Sequence, residues 1–125
     1  MSIRIESAAS GDALTYRFSG RISEDDMLKL RYAEDRYFAS LPAGQCLNII
    51  ADFSEIDSIA PQLFPQLQRM RMVTEPRIGL VIVAGANSYL RALTISLGLV
   101  AGSVHNIIFS DSPESARSLL PAAVS

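Results

Sequence analysis

Hydrophobic and polar positions along this chain fall into runs with two different periods. Ile3 to Ser7 alternates, with Ile3 and Ile5 flanking Arg4, the period of two that a strand shows. Ser10-Gly11-Asp12 is a turn cluster. Ala13 to Phe18 alternates again, Leu14, Tyr16 and Phe18 against Thr15 and Arg17, so two strands across a short turn predict a hairpin. Gly20 closes its second strand. Ser23 then reads as a helix cap, with Glu24, Asp25 and Asp26 at the positive end of the helix dipole. Leu30, Ala33, Tyr37 and Leu41 are spaced by three and four, which predicts the inward stripe of a first helix. Pro42-Ala43-Gly44 stops it.

The next strand runs from Cys46 to Phe53. Leu47, Ile49, Ala51 and Phe53 point one way and Asn48, Ile50 and Asp52 the other, so one sheet face is better covered than the other. Asp52 to Ala60 reads as a loop. A second helix carries Leu63, Phe64, Leu67 and Met70. Because proline is tolerated only in the first helical turn, Pro61 and Pro65 place the regular start near Leu63, with Ile59 to Gln62 as an irregular entry. Arg77 to Ala84 is a nearly continuous apolar run, the mark of a central strand. Asn87 caps a third helix with a stripe at Leu90, Leu93 and Leu97, and Gly98 and Gly102 mark its end. Asn106 to Phe109 is a short strand. Ser112-Pro113-Glu114 starts a last helix, in which Ala116, Leu119 and Leu120 face inward and Pro121 is the stop.

The resulting order, β-β-α-β-α-β-α-β-α, predicts an α/β fold with a mixed, mostly parallel sheet of about five strands and right-handed crossovers. The length of 125 residues fits one domain over 1–125. At 49% hydrophobic and 19% charged residues the chain is not of disordered type. Eleven basic and 13 acidic residues give a formal charge of −2, which argues against a nucleic-acid partner, whose phosphates need a concentrated basic stripe. No stretch of 18 apolar residues offers a membrane span. The start, Met1-Ser2-Ile3-Arg4-Ile5-Glu6, lacks a basic region followed by an apolar one, so a cytoplasmic location is the expectation.

Candidate chemistry is sparse. His105 is the sole histidine, in a loop before the last strand, and Cys46 the sole cysteine. Cys46 reads as a small buried hydrophobe. No usual zinc set, nucleophile elbow or phosphate-binding glycine pattern is present, so no metal or cofactor is expected. Asp52, Glu55 and Asp57 follow the middle strand and could hold a hard cation; the plainer reading is a polar loop in which Asp57 or Ser58 caps the next helix. An enzyme built on Asp52, Asp57 or His105 would need these groups to converge in a cleft. Arg69, Arg71 and Arg77 cluster at the far end of the second helix, as solvated surface or as a protein-binding patch. Met70 and Met72, two residues apart, do not share a helix face.

The element order, with Asp52-Phe53-Ser54-Glu55-Ile56 ending a strand before a helix, resembles the STAS domain of sulfate transporters and bacterial anti-sigma-factor antagonists. The likeness extends through Leu90-Arg91-Ala92-Leu93, Leu97-Gly98-Leu99 and Asn106-Ile107-Ile108-Phe109 to the final helix. It implies helices mainly on one face of the sheet and a regulatory, non-enzymatic role. The implied partner is another protein, of the kinase or anti-sigma-regulator kind. Antagonists of that family carry Asp-Ser-Ser-Gly at the start of the second helix, its first serine phosphorylated. Here those positions hold Ala60, Pro61, Gln62 and Leu63. Asp57-Ser58 imitates the pair three residues early, which makes Ser58 the weak candidate phosphoacceptor and points to a divergent, stand-alone branch without the usual switch. The candidate binding surface is therefore Ser54, Asp57, Ser58 and Gln62. The alternatives are a small lipid-like ligand carrier, whose helix stripes (Phe64, Leu67, Leu93, Leu97) part to admit the ligand, and the enzyme above. The hairpin edge from Ile3 to Phe18 also offers a surface for a homodimer.

Overall fold

The computed structural model describes residues 3–7, 13–100 and 106–120, without the side chains of 64, 96–100 and 106. The expected turn Ser10-Gly11-Asp12, Gly102, His105 and Pro121 lie outside these residues. Five strands, β1 (Ile3–Ser7), β2 (Ala13–Ile22), β3 (Leu47–Ile59), β4 (Ile78–Ala84) and β5 (Asn106–Ser110), form one sheet in that spatial order. β1 is antiparallel to β2, and every later pair is parallel. The helices are α1 (Glu24–Ser40), α2 (Phe64–Gln68), α3 (Arg71–Thr74), α4 (Ser88–Val100) and α5 (Pro113–Leu119).

Each parallel connection moves one strand further in the same direction. Right-handed crossovers that all step one way leave their helices on one face. The main core lies on that face: Leu14, Tyr16, Phe18, Ile49, Ala51, Val81 and Val83 from the sheet meet Met27, Leu30, Phe38, Leu67 and Leu90 from the helices. α5 follows the last strand and is not a crossover, so it is free to take the other face. There Ala116 packs with Ile50, Ile82 and Ala84. α5 lies over β3, β4 and β5. The β1–β2 half of that face carries Arg4, Glu6, Thr15 and Arg17, all exposed or half-buried.

Local chemistry accounts for the boundaries. Ser23 Oγ accepts from the Asp26 N–H (3.2 Å) while the Asp26 carboxylate accepts from the Ser23 N–H (2.9 Å), a reciprocal cap. Ser112 caps α5, with Pro113 in its first turn. Asn87 Oδ1 accepts from the Leu90 N–H at 2.9 Å and starts α4. Between Leu47 and Ile49 the pairing with β4 slips by one residue. Asn48 Oδ1 accepts from the Leu80 N–H at 3.0 Å, which supplies a partner where the ladder is broken.

Several expectations need correction. The stretch after Asp52 is not a loop: β3 continues to Ile59. Two bulges on β3 explain the misreading. Between the Arg17–Asp52 and Ser19–Glu55 pairs β3 holds one residue more than β2, and Asp57 is inserted between Ile56 and Ser58; each insertion breaks the period of two. β2 likewise runs on past Gly20, which holds φ +64° beside the second bulge. On α1 the buried stripe is Met27, Leu30, Glu34 and Phe38. Ala33 is exposed, with Tyr37 and Leu41 only at the core margin. The second helix is three pieces: a 3-10 turn at Pro61–Leu63, then α2 and α3. Pro65 falls in the first turn of α2, as its missing N–H requires. Met70 is extended (φ −61°, ψ 142°) and separates α2 from α3, which lets Met70 and Met72 both be buried. α4 continues past Gly98 to Val100. Leu119 is 45% exposed rather than inward. Cys46 precedes β3 and is exposed, so it is not a core residue.

Candidate functional site

β3 outruns its neighbour. Its pairing with β4 ends at Asp52–Ala84, whereas its pairing with β2 continues to Ile22–Ile59. Beyond Asp52, β3 therefore has a strand partner on one side only, among the described residues. Glu55, Asp57 and Ser58 are exposed along this extension, Ile56 is half-buried, and Ile59 returns to the core. Bulges at such a place re-aim side chains; here they turn successive polar residues outward.

The root of the extension is pinned. Asp52 is 5% exposed. Its Oδ1 accepts from the Ser54 N–H (3.0 Å) and the Ser54 hydroxyl (2.6 Å). Its Oδ2 lies 3.7 Å from Arg17 Nε, and Arg17 Nη2 lies 3.7 Å from Glu6 Oε2. Gly85, the first residue after β4, has φ +71°, and a Cβ there would stand 2.8 Å from Ser54 Cα. The chain leaving β4 thus passes directly against Ser54. Only glycine combines that backbone conformation with so close an approach.

At the tip, Arg21, Ile22, Ser23, Glu24, Ala60, Gln62 and Leu63 line a cavity of about 260 Å³. It lies where β2 and β3 end and α1 and the 3-10 turn begin, at the carboxyl ends of parallel strands, where α/β folds commonly place ligands. Gln62 is exposed at its rim. Ser54, Asp57, Ser58 and Gln62 thus fall on one continuous stretch, from the root of the extension to the cavity. Ser58 sits on a strand opposite Arg21, not at a helix start.

The other candidates disperse. The Asp52 carboxylate is engaged by Ser54 and Arg17, Asp57 points to solvent, and His105 lies outside the described residues. No group of three or more His, Cys, Asp or Glu that could hold a metal ion occurs among the described residues. The arginines at the far end of the second helix form no free basic patch. Arg71 pairs with Asp35 (3.0 Å) and Glu75 (3.3 Å), and Arg77 with Glu75 (2.7 Å). Both guanidiniums also stack on Phe38, at 6.0 and 5.8 Å. Arg69 stays exposed. Of the stripe expected to part for a ligand, Leu67 is in the core and Leu93 at its margin, while the side chains of 64 and 97 are not described.

Sequence reasoning missed one polar centre. Glu34, 1% exposed, faces the core from α1. Its Oε2 accepts from the Tyr16 hydroxyl and, at 2.9 Å, from the Arg71 N–H at the start of α3. Burial raises the Glu34 carboxyl above the usual carboxylate range, against the lowering effect of these donors and the Met72 N–H. Burial, then the Glu34 charge, pushes the Tyr16 phenol up. The available signal was phase: Glu34 continues the Met27–Leu30–Phe38 stripe.

No family model and no curated protein matches this chain. Among solved structures it is similar to an uncharacterised protein of the DUF3478 family from Shewanella loihica PV-4, described as having a SpoIIAA-like fold. The TM-score is 0.72 at 13% sequence identity, over 95% of this chain and 92% of that one. The fold is STAS-like. The likeness fixes the mixed five-stranded sheet and its helices as SpoIIAA-like in arrangement. No helix among the described residues is long and apolar enough to cross a membrane.

Proposed function

We propose that this STAS-like chain, a single domain over 1–125, is a non-enzymatic protein-binding module of the cytoplasm. Its partner is a kinase or an anti-sigma-type regulator, docking on Ser54, Asp57, Ser58 and Gln62. The observation that carries the reading is the half-paired extension of β3 beside a cavity at the strand ends. A strand edge that no described strand pairs presents N–H and C=O groups to an incoming segment, and the cavity accepts a side chain from it. Glu24, Glu55 and Asp57 are exposed around this surface, with Arg21 as the nearby cation, which suits a segment of basic character.

The module works without a phosphoserine switch. A phosphate acts by adding charge at a helix start, where N–H groups and the dipole meet it. That start is Pro61-Gln62-Leu63, with no hydroxyl, and Ser58 stands on the strand before it. Asp52 serves as a brace rather than a base, since its carboxylate is held by Ser54 and Arg17.

Affinity capture from the native cell tests this. Wild-type bait is compared with the Ser58→Asp, Gln62→Ala double variant. A protein of the kinase or regulator kind retained by wild type and lost with the variant supports the reading. Identical capture profiles would remove it.

A further inference from the structure

We propose that β1 is a self-complementary edge through which two copies of this chain pair antiparallel about Ile5, joining their sheets into one. β1 is a terminal strand of the sheet, so its outer edge has no strand partner among the described residues. Its side chains divide cleanly. Ile3 and Ile5 face the helix layer, one in the core and one at its margin. Arg4 and Glu6 are exposed on the opposite face, where Glu6 lies 3.7 Å from Arg17.

Charge decides the register. In an antiparallel pair that keeps both helix layers on the same side, residues directly opposite must share a face. Centring on Ile5 sets Arg4 opposite Glu6 of the second copy, twice by symmetry, with Ile5 against Ile5 and Ile3 against Ser7. Centring one residue earlier sets Arg4 against Arg4; one residue later sets Glu6 against Glu6. Opposite charges across strands stabilise a pair and like charges directly opposite destabilise it. The sequence Ile3-Arg4-Ile5-Glu6-Ser7 therefore selects a single register.

The free chain leaves a need that this pairing meets. Arg4 stands opposite Arg17 in the hairpin and makes no ion pair among the described residues, while Glu6 serves Arg17. Glu6 of the second copy gives Arg4 a counter-charge and continues the row Arg17–Glu6–Arg4 across the symmetry axis. The occupant is thus a second copy, not an unrelated strand, because the strand complements itself.

Sedimentation velocity on the full chain at high micromolar concentration tests this. Wild type is expected to be dimeric. Arg4→Glu alone sets acid against acid and Glu6→Arg alone base against base, and each is expected to weaken the dimer about tenfold or more. Mixing the two single variants restores opposite charges and is expected to restore dimers, as is the double exchange Arg4→Glu, Glu6→Arg. Circular dichroism melts establish that each variant is folded, and the mixing arm stands even if one variant is less stable. A monomeric wild type, or a dimer indifferent to both single changes, would overturn the proposal.

Discussion

Glu34 shows how one side chain can invert the usual rule for carboxylates. Its folded pKa is raised, chiefly by burial, so the folded chain holds a proton that the unfolded chain releases between the two values. Stability therefore falls as pH rises through that interval and stays lower above it. Glu75 has the opposite sign. Its pKa is lowered, first by the hydrogen bond from Arg77, so its contribution is present above the unfolded value and lost as pH falls through the folded one. Melting curves at several pH values on wild type, Glu34→Gln and Glu75→Gln separate the two. The difference in Tm between Glu34→Gln and wild type should move in the variant's favour as pH rises from acid to neutral, and that for Glu75→Gln should move against it. Parallel curves would remove this account. Tyr16→Phe deletes a donor to the buried Glu34 and should cost about 1–3 kcal/mol in denaturant unfolding at neutral pH. Cys46 is exposed, so an aromatic disulfide reagent should titrate one thiol as fully in native buffer as in denaturant. The sequence made Cys46 a buried strand residue because apolar neighbours follow it; the strand starts one residue later.

Among the elements, β3 carries the proposed docking surface, and its support comes from the strands beside it. Gly85→Ala would force a Cβ against Ser54 and hold an alanine at φ +71°. The conformation alone costs roughly 1–2 kcal/mol. The prediction is a lower Tm together with faster amide exchange at Ser54 to Ser58, measured by hydrogen exchange; loss of stability with unchanged exchange there would mean that Gly85 does not brace the extension. Ser112→Ala removes the α5 cap and should cost about 1 kcal/mol, read by urea unfolding. The candidate residues Ser54, Asp57, Ser58 and Gln62 were picked out by position, because α/β folds commonly place ligands at the carboxyl ends of parallel strands. Their conformation was not legible. Two bulges destroyed the alternation that identifies a strand, and Asp52, Ser54, Glu55, Asp57 and Ser58 are residue types that favour loops. Proline chemistry did locate the irregular entry to α2, since a missing N–H is a constraint within a single residue.

Over the whole molecule, the one-directional order of strands sends the crossover helices to one face; on the other, α5 covers β3 to β5, and no described helix covers the charged half at β1 and β2. The docking surface proposed at the end of β3 and the self-pairing edge proposed at β1 therefore lie in different regions of the chain. The charge variants of β1 should leave partner capture on the β3 extension intact, which pull-down with Arg4→Glu bait checks. By itself the sequence determined the succession of strands and helical segments, the mixed sheet, and the faces of β2 and the first half of β3, because periodicity and turn chemistry are local. Only the tertiary structure decided that α1 turns Glu34 inward, that Arg71 and Arg77 are neutralised by Asp35 and Glu75, and that β3 runs beyond β4. Each depends on donors, counter-charges or pairing edges brought from distant positions, and hydropathy along one segment holds no record of what another segment will place against it.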